Sequence, residues 1–276
     1  MDLTTLIGII AGLGALVIGF VLEGGHPGSL FQGTAAIIVF GGTFGAVAAS
    51  FSAADLKRIP QWFRIAFSRK AFGTEEAYVT LIQFAEKARR EGLLSLEREL
   101  DSVSDKFTHK GLQLVIDGTD PEITQSILES NISVLEKRHK TGIHVFEAAG
   151  GFSPTMGIIG TVMGLVHVLG NLDDPAALSG AIAAAFIATL YGVSAANLLW
   201  LPIATKLKQK DKFEVNAMEM ILDGILSIQA GENPSILREK LKTHLGHMSP
   251  DLRLKEGRGS STSSRSKNRS IPNAAK

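Results

Sequence analysis

GGFSPTMGIIGTVMGLVHVLGNL at residues 150–172 and AIAAAFIATLYGVSAANLLWLPIATKLK at 181–208 are two long apolar stretches. Each has a proline near one end, Pro154 and Pro202, and a threonine near its middle, Thr161 and Thr189. About 20 apolar residues let a helix cross a bilayer, and both stretches are about that long. Working outward, two more such stretches lie upstream, and the spans are read as 3–22, 33–51, 150–170 and 177–204. None of them contains Asp, Glu, Lys or Arg. Helices of this kind can wall an ion path, but they offer no acidic group at membrane depth to carry the ion. The pattern points to an ion-handling membrane assembly whose charged carrier comes from another chain.

The rest of the composition fits a chain divided between lipid and water. Of the 276 residues 45% are hydrophobic and 20% charged, so sizeable soluble lobes accompany the spans. The net charge of +1 is too small to bind nucleic acid by bulk electrostatics. The basic residues cluster instead: Lys57, Arg58, Arg64, Arg69 and Lys70 follow the second span, and Lys206, Lys208, Lys210 and Lys212 follow the fourth. The links 23–32 and 171–175 carry no Lys or Arg. The positive-inside rule then places 52–147 and 205–276, and with them both termini, in the cytoplasm. Cysteine is absent, which removes disulfides, thiolate metal sites and cysteine nucleophiles. The first span has no basic n-region and no small-residue cleavage pattern before Glu23, so it reads as a retained span and not a signal peptide.

Small residues recur at helical spacing: Gly8 and Gly12, Gly41 and Gly45, Gly160 and Gly164, then Gly180, Ala184, Ala188, Gly192 and Ala196. In lipid such ridges let helices approach closely, although glycine and alanine are also simply common in membrane helices. Residues 61–72 mix aromatic and aliphatic side chains with Arg64, Arg69 and Lys70, as a helix lying at the cytoplasmic interface does. Helical patterns at 75–90 and 93–100 follow, and Asp120-Pro121-Glu122 caps a helix with no evident stop before the third span except Gly142. The fourth span likewise continues into 205–229, where Phe213, Met220, Ile221, Ile225 and Leu226 form an apolar stripe. Asn233-Pro234 starts a short helix to about Leu245, within C-terminal helices that extend to 256. Residues 257–276 are Ser-rich, basic and without periodicity, the composition of a disordered tail. No strand-like alternation occurs. The expected fold class is all-α: an integral membrane protein with four transmembrane helices, an interfacial helix and a cytoplasmic helical domain.

Pro154 cannot donate to the carbonyl of Gly150, nor Pro202 to that of Leu198, so each weakens its helix near the cytoplasmic end. Such a pair of kinks either links events in the membrane to the cytoplasmic rods or only shapes packing. Thr161 and Thr189 either bond back to their own helices or offer hard oxygen ligands to a small cation. His167, the one titratable side chain well inside a span, lies close to Asn171 and hence nearer the outer mouth than a central relay. Residues 89–99 carry charges of both signs, which solvate a surface or form a docking face. There is no P-loop and no G-x-S-x-G, and His244 and His247 form an isolated H-x-x-H with no metal expected. No enzyme activity and no cofactor are indicated.

DLTTLIGIIAG at 2–12, ARREGLLSLE at 88–97, SPTMGIIGTVMGLV at 153–166, the AAAFIATLYGV and LLWLPIATKLK stretches and GENPSILREKL at 231–241 together resemble the MotA/PomA/MotP family. These are the A subunits of flagellar motor stators in the bacterial inner membrane. The resemblance covers the chain to about residue 250 and is greatest to the sodium-type MotP and PomA members. It implies a pentameric ring of A subunits around a pair of MotB/PomB/MotS-type B subunits, whose single transmembrane helix brings the ion-carrying Asp. It also implies residue roles. Pro154 and Pro202 match the two prolines that couple ion passage to the cytoplasmic domain. Arg89, Arg90, Glu97 and Glu99 match the charged patch that engages the rotor protein FliG. Thr189 matches a pore threonine, and Thr161 lies where sodium-driven members have threonine and many proton-driven members alanine. The cargo implied is Na⁺, with H⁺ the alternative: a partly dehydrated Na⁺ needs coordinating oxygens and a proton does not. Two other readings are an ExbB/TolQ-like energiser of outer-membrane processes, and a self-contained secondary transporter, which would need its own intramembrane binding group.

Overall fold

The structure, a computed structural model, describes residues 3–68, 73–170 and 175–246. Arg69, Lys70, His247 and the stretch 257–276 lie outside the described residues. All regular elements among the described residues are helical, as the all-α reading expects. Among the described residues four helices are long and apolar enough to cross a membrane: Thr4–Leu22, Pro27–Ser50, Pro121–Leu169 and Leu178–Gln229. The chain divides into two compact units, 1–70 with 135–212 and 71–134 with 213–276.

In the first unit, Leu3–Leu22 is a helix that leaves Ile7, Ile10, Leu13 and Ile18 exposed, as lipid permits and water does not. The second span runs as Gly33–Ala36, a π-helical turn Ile37–Gly41, and Gly42–Ser50. The third is continuous from Pro121 to Leu169 with Pro154 inside it. Gly142, the one possible stop along this helix, does not interrupt it. A Cβ there would stand 2.8 Å from the Trp62 ring, so this glycine is the seat on which the tryptophan lies. The fourth span runs as Pro175–Ala195, a π turn Ala196–Trp200, and Leu201–Gln229. The Leu201 N–H bonds to the Ala196 carbonyl, five residues back, directly before Pro202. The wider turn admits a residue that has no N–H to donate, an adjustment that the sequence pattern did not signal.

The third and fourth spans cross backbone against backbone. A Cβ on Gly192 would lie 2.5 Å from the Ser153 carbonyl oxygen and 3.0 Å from Gly157 Cα, and one on Gly157 would lie 2.8 Å from the Ala188 carbonyl oxygen. Gly160 rests on Ala188 and Gly164 on Ala185. Of the expected small-residue ridges, these parts form the contact, whereas Gly8, Gly41, Gly45 and Gly180 face open space within this chain. Toward residue 200 the crossing gives way to an aromatic core. Trp62, Ala66, Phe146, Ala149, Trp200 and Ile203 are buried together, and Phe63 meets Phe146 edge-on at 5.0 Å. This core receives the helix Ile59–Phe67 through Trp62 and Ala66. That helix begins two residues before the expected 61 and is described only to Phe67, since 69–72 are outside the described residues.

The second unit packs Thr74–Glu91, Lys106–Ile116 and Pro234–Gly246 with parts of the two long helices. Met220, Ile221 and Ile225 are fully buried, as the stripe requires, while Phe213 is exposed and Leu226 only partly covered. The buried stripe is completed by Ala217, Met218, Leu222 and Ile228, which places its centre one helical face away from Phe213. The expected helix over 93–100 is split into a 3₁₀ turn Leu93–Leu96 and a short helix Glu97–Leu100.

The glycine crossing has a direct test. Gly192→Ala forces a methyl onto a backbone oxygen that cannot swing aside, so it should destabilise the purified protein by about 1–3 kcal/mol, a typical overpacking cost. Gly180→Ala, in open space, should leave the thermal midpoint unchanged.

Candidate ion pathway and charged face

The crossing brings Thr161 and Thr189 together. Their hydroxyl oxygens are 2.6 Å apart. Thr161 Oγ1 also lies 3.1 Å from the Gly157 carbonyl of its own helix and 2.9 Å from the Ala185 carbonyl of the other. Thr189 Oγ1 reaches across to the Gly157 carbonyl at 3.4 Å. Local back-bonding therefore describes one of four contacts, and the other three join the two helices. Two hydroxyls bring two protons and four lone pairs. One proton serves the mutual bond and the other a carbonyl, which leaves unfilled lone pairs in a half-buried, uncharged setting. Such oxygens can take a cation that has shed part of its water. His167 is exposed, near the end of the third span and apart from this pair in sequence.

Pro154 lies inside the continuous helix Pro121–Leu169. Ser153, directly before Pro154, is fully buried, and its hydroxyl has no hydrogen-bond partner among the described residues. Pro202 follows the π turn. A Cβ on Gly150 would meet the Leu201 side chain at 2.6 Å, so the two helices touch beside both prolines.

Beyond the prolines the two helices are tied by charge. Lys208 Nζ lies 2.5 Å from Glu147 Oε1 and His139 Nδ1 2.8 Å from Asp211 Oδ1, while within the third helix His144 Nδ1 lies 3.0 Å from Glu147 Oε2. Lys210 Nζ donates to the Ile65 and Ser68 carbonyls at the end of Ile59–Phe67, where an ammonium complements the helix terminus. The hydrogen bond from Lys208 holds the Glu147 carboxyl below its ordinary range, with the Lys208 and His144 charges adding to it against the opposing effect of burial. In sequence these lysines read only as a membrane-side marker. Their partners lie some 60 to 145 residues away, a relation no local pattern encodes.

In the second unit Arg89, Arg90, Glu97 and Glu99 are all exposed around the turn at Gly92, whose φ of 83° ends the helix Thr74–Glu91. The structure adds Lys87, Glu86, Arg238 and Leu94 to this face. Lys87 Nζ pairs with Glu99 Oε1 at 2.5 Å, Arg238 pairs with Glu86 at 2.9 Å, and Leu94 is 74% exposed between the charges. Elsewhere in this unit His244 Nε2 lies within hydrogen-bond distance of Asp223 Oδ2, at 3.0 Å.

With this geometry in place, comparison with known proteins identifies the class. Residues 99–220 match the MotA/TolQ/ExbB proton channel family and residues 6–92 match Motility protein A N-terminal. The chain is 39% identical over 246 residues to Motility protein A of Bacillus subtilis (89% of this chain, 91% of the relative). It is 36% identical over 256 residues to Chemotaxis protein PomA of Vibrio alginolyticus (93% of this chain, 100% of the relative). Among solved structures it superposes on the flagellar MotAB stator complex from Bacillus subtilis with a TM-score of 0.84 at 38% identity, covering 92% of this chain and 99% of that one. It also superposes on C. jejuni MotAB with a TM-score of 0.85 at 30% identity, covering 91% of this chain and 98% of that one. The chain belongs to the MotA/PomA family of flagellar motor stator A subunits.

The Glu147 cluster carries a pH signature. Because its carboxyl is lowered from 4.5, its contribution to stability is present at neutral pH and lost as pH falls through the still lower folded value. Glu147→Gln should therefore lower the thermal midpoint at pH 7, and the difference from wild type should shrink steadily below about pH 4.5. A difference that persists to pH 3 would assign the effect to packing.

Proposed function

We propose that this chain is the A subunit of a stator that converts a cation gradient, Na⁺ in preference to H⁺, into torque on the flagellar rotor. The observation that carries this is the Thr161–Thr189 hydroxyl pair, set in spans that have no carboxylate of their own. The B subunit supplies that carboxylate as an Asp on its single transmembrane helix, and several A subunits, a pentameric ring in the family, surround a pair of B subunits. Residues 52–147 and 205–256 lie in the cytoplasm with both termini. Cation passage past Thr161 and Thr189 loads and unloads the partner Asp, and the resulting rearrangement bends the third and fourth spans at Pro154 and Pro202. The Arg89, Arg90, Glu97 and Glu99 face pushes on FliG, where charge complementarity sets register and encounter rate.

The continuity of both long helices past their prolines supports the coupling, since a helix bent at one end carries the motion along its length. The match of residues 6–92 to Motility protein A N-terminal speaks for a motor subunit over an ExbB/TolQ-like energiser. The sodium preference rests on Thr161 and on the likeness to PomA. The lack of an intramembrane acid speaks against a self-contained transporter.

The test is expression of the chain with its B subunit in a stator-less strain. Swimming should be restored, its speed should follow external Na⁺, and Thr161→Ala should weaken that dependence. Full assembly without motility would defeat the motor assignment. Unchanged speed without sodium, together with collapse on adding a protonophore, would assign the cargo to protons.

A further inference from the structure

One polar contact lies outside everything assigned so far. Tyr191, two residues beyond Thr189, places its phenol at the entrance of the second span. Its hydroxyl accepts from the Gln32 N–H at 3.2 Å and donates to the Leu30 carbonyl at 2.5 Å. Leu30 closes the short 3₁₀ turn Pro27–Leu30, and the two residues after it are extended, with φ and ψ of −92° and 95° at Phe31 and −120° and 104° at Gln32. The Phe31 N–H bonds back to the Gly28 carbonyl and the Ala36 N–H to the Gln32 carbonyl, while the Leu30 carbonyl and the Gln32 N–H turn to the fourth span. One phenol serves both groups, as donor and as acceptor.

The contact is also placed to affect the ion pathway. Tyr191 and Ile187 pack against the buried group Ala35, Val39 and Ala188, and the Tyr191 ring sits 6.5 Å from that of Phe40. Ala188 is the residue on which Gly160 rests, and Ile38 of the second span lies against the same glycine. Thr161 and Thr189 are the chain neighbours of Gly160 and Ala188. The second span is thus a wedge behind the contact that sets the hydroxyl separation, and Tyr191 holds its end in register.

We propose that Tyr191 is a positioning residue for the Thr161–Thr189 pair, acting by pinning the entrance of the second span, and that it thereby sets the affinity of the pathway for its cation. This rests on the ion-pathway reading of the two threonines. Tyr191→Phe keeps the ring and its packing and removes both hydrogen bonds. The half-saturating external Na⁺ for swimming speed should rise by about threefold or more, a coupling of the size found between contacting residues, while the maximum speed is nearly kept. In a Thr161→Ala background the same substitution should produce no further shift. A purely structural role would lower the amount of assembled complex and the maximum speed without moving the half-saturation point.

An unmoved half-saturation point, or a shift of equal size in the Thr161→Ala background, overturns the proposal. If the wild type proves indifferent to Na⁺, the sodium reading fails separately, and the same comparison is made against external pH. A measurement independent of motility uses the absence of cysteine from the chain. With Thr189→Cys as the sole thiol in the assembled complex, Tyr191→Phe should raise its rate of modification by a membrane-permeant thiol reagent at least about threefold. An unchanged rate overturns the proposal even if the motor does not turn.

Discussion

The close crossing at Gly157 and Gly192 is the contact on which the membrane unit depends. No Cβ fits between the Ser153 carbonyl, Gly157 Cα and Gly192, so the two backbones meet with nothing in between. Lipid tails are as apolar as leucine and do not drive helices together, so association must come from dispersion and short polar contacts at such close approach. Once the backbones meet there, Gly160 falls on Ala188, Gly164 on Ala185, and the Thr161 and Thr189 hydroxyls are brought to 2.6 Å. A larger residue at either glycine would separate the hydroxyls as well as the helices.

From that contact the polar chemistry changes character along the helices. At the crossing it is neutral: hydroxyls shared with carbonyls of two helices. Past Pro154 and Pro202 charged side chains take over, with Lys208 on Glu147 and a His139–Asp211 hydrogen bond between the helices. Between the two, the Ser153 hydroxyl is buried with no hydrogen-bond partner among the described residues, Pro154 has no N–H to donate, and a π turn precedes Pro202. A helix bends where its bonding is weakest and where nothing on either side yields. Here the flanking regions are a glycine-tight crossing and the Lys208–Glu147 and His139–Asp211 contacts.

Much of this was legible in the chain. Four spans, the long uninterrupted helices and the helix starts at Pro121 and Pro234 follow from apolar length, periodicity and caps, all of which are local signals. So do the chemical types of the candidate site, since the spans carry hydroxyls and prolines and no Asp, Glu, Lys or Arg. The stripe of residues 213–226 was partly misplaced, because periodicity marks a helical face and not which neighbour covers it, and Phe213 is left exposed. Gly142 looked like punctuation and is a seat for Trp62, since a glycine has the same local signature whether it ends a helix or admits a ring.

The sequence by itself determined that the chain crosses a membrane, that its spans carry hydroxyls and no carboxylates, and which charged residues stand apart from them. These are properties of composition and spacing, which folding does not alter. Only the tertiary structure decided that Thr161 faces Thr189, that Lys208 and Lys210 are fastened to Glu147 and to the helix Ile59–Phe67, and that Tyr191 satisfies the backbone at Leu30 and Gln32. Each of those is a contact between residues 28 to 161 positions apart. Such contacts follow from how closely helices can approach, which depends on matching shapes across two segments and is written in neither one alone.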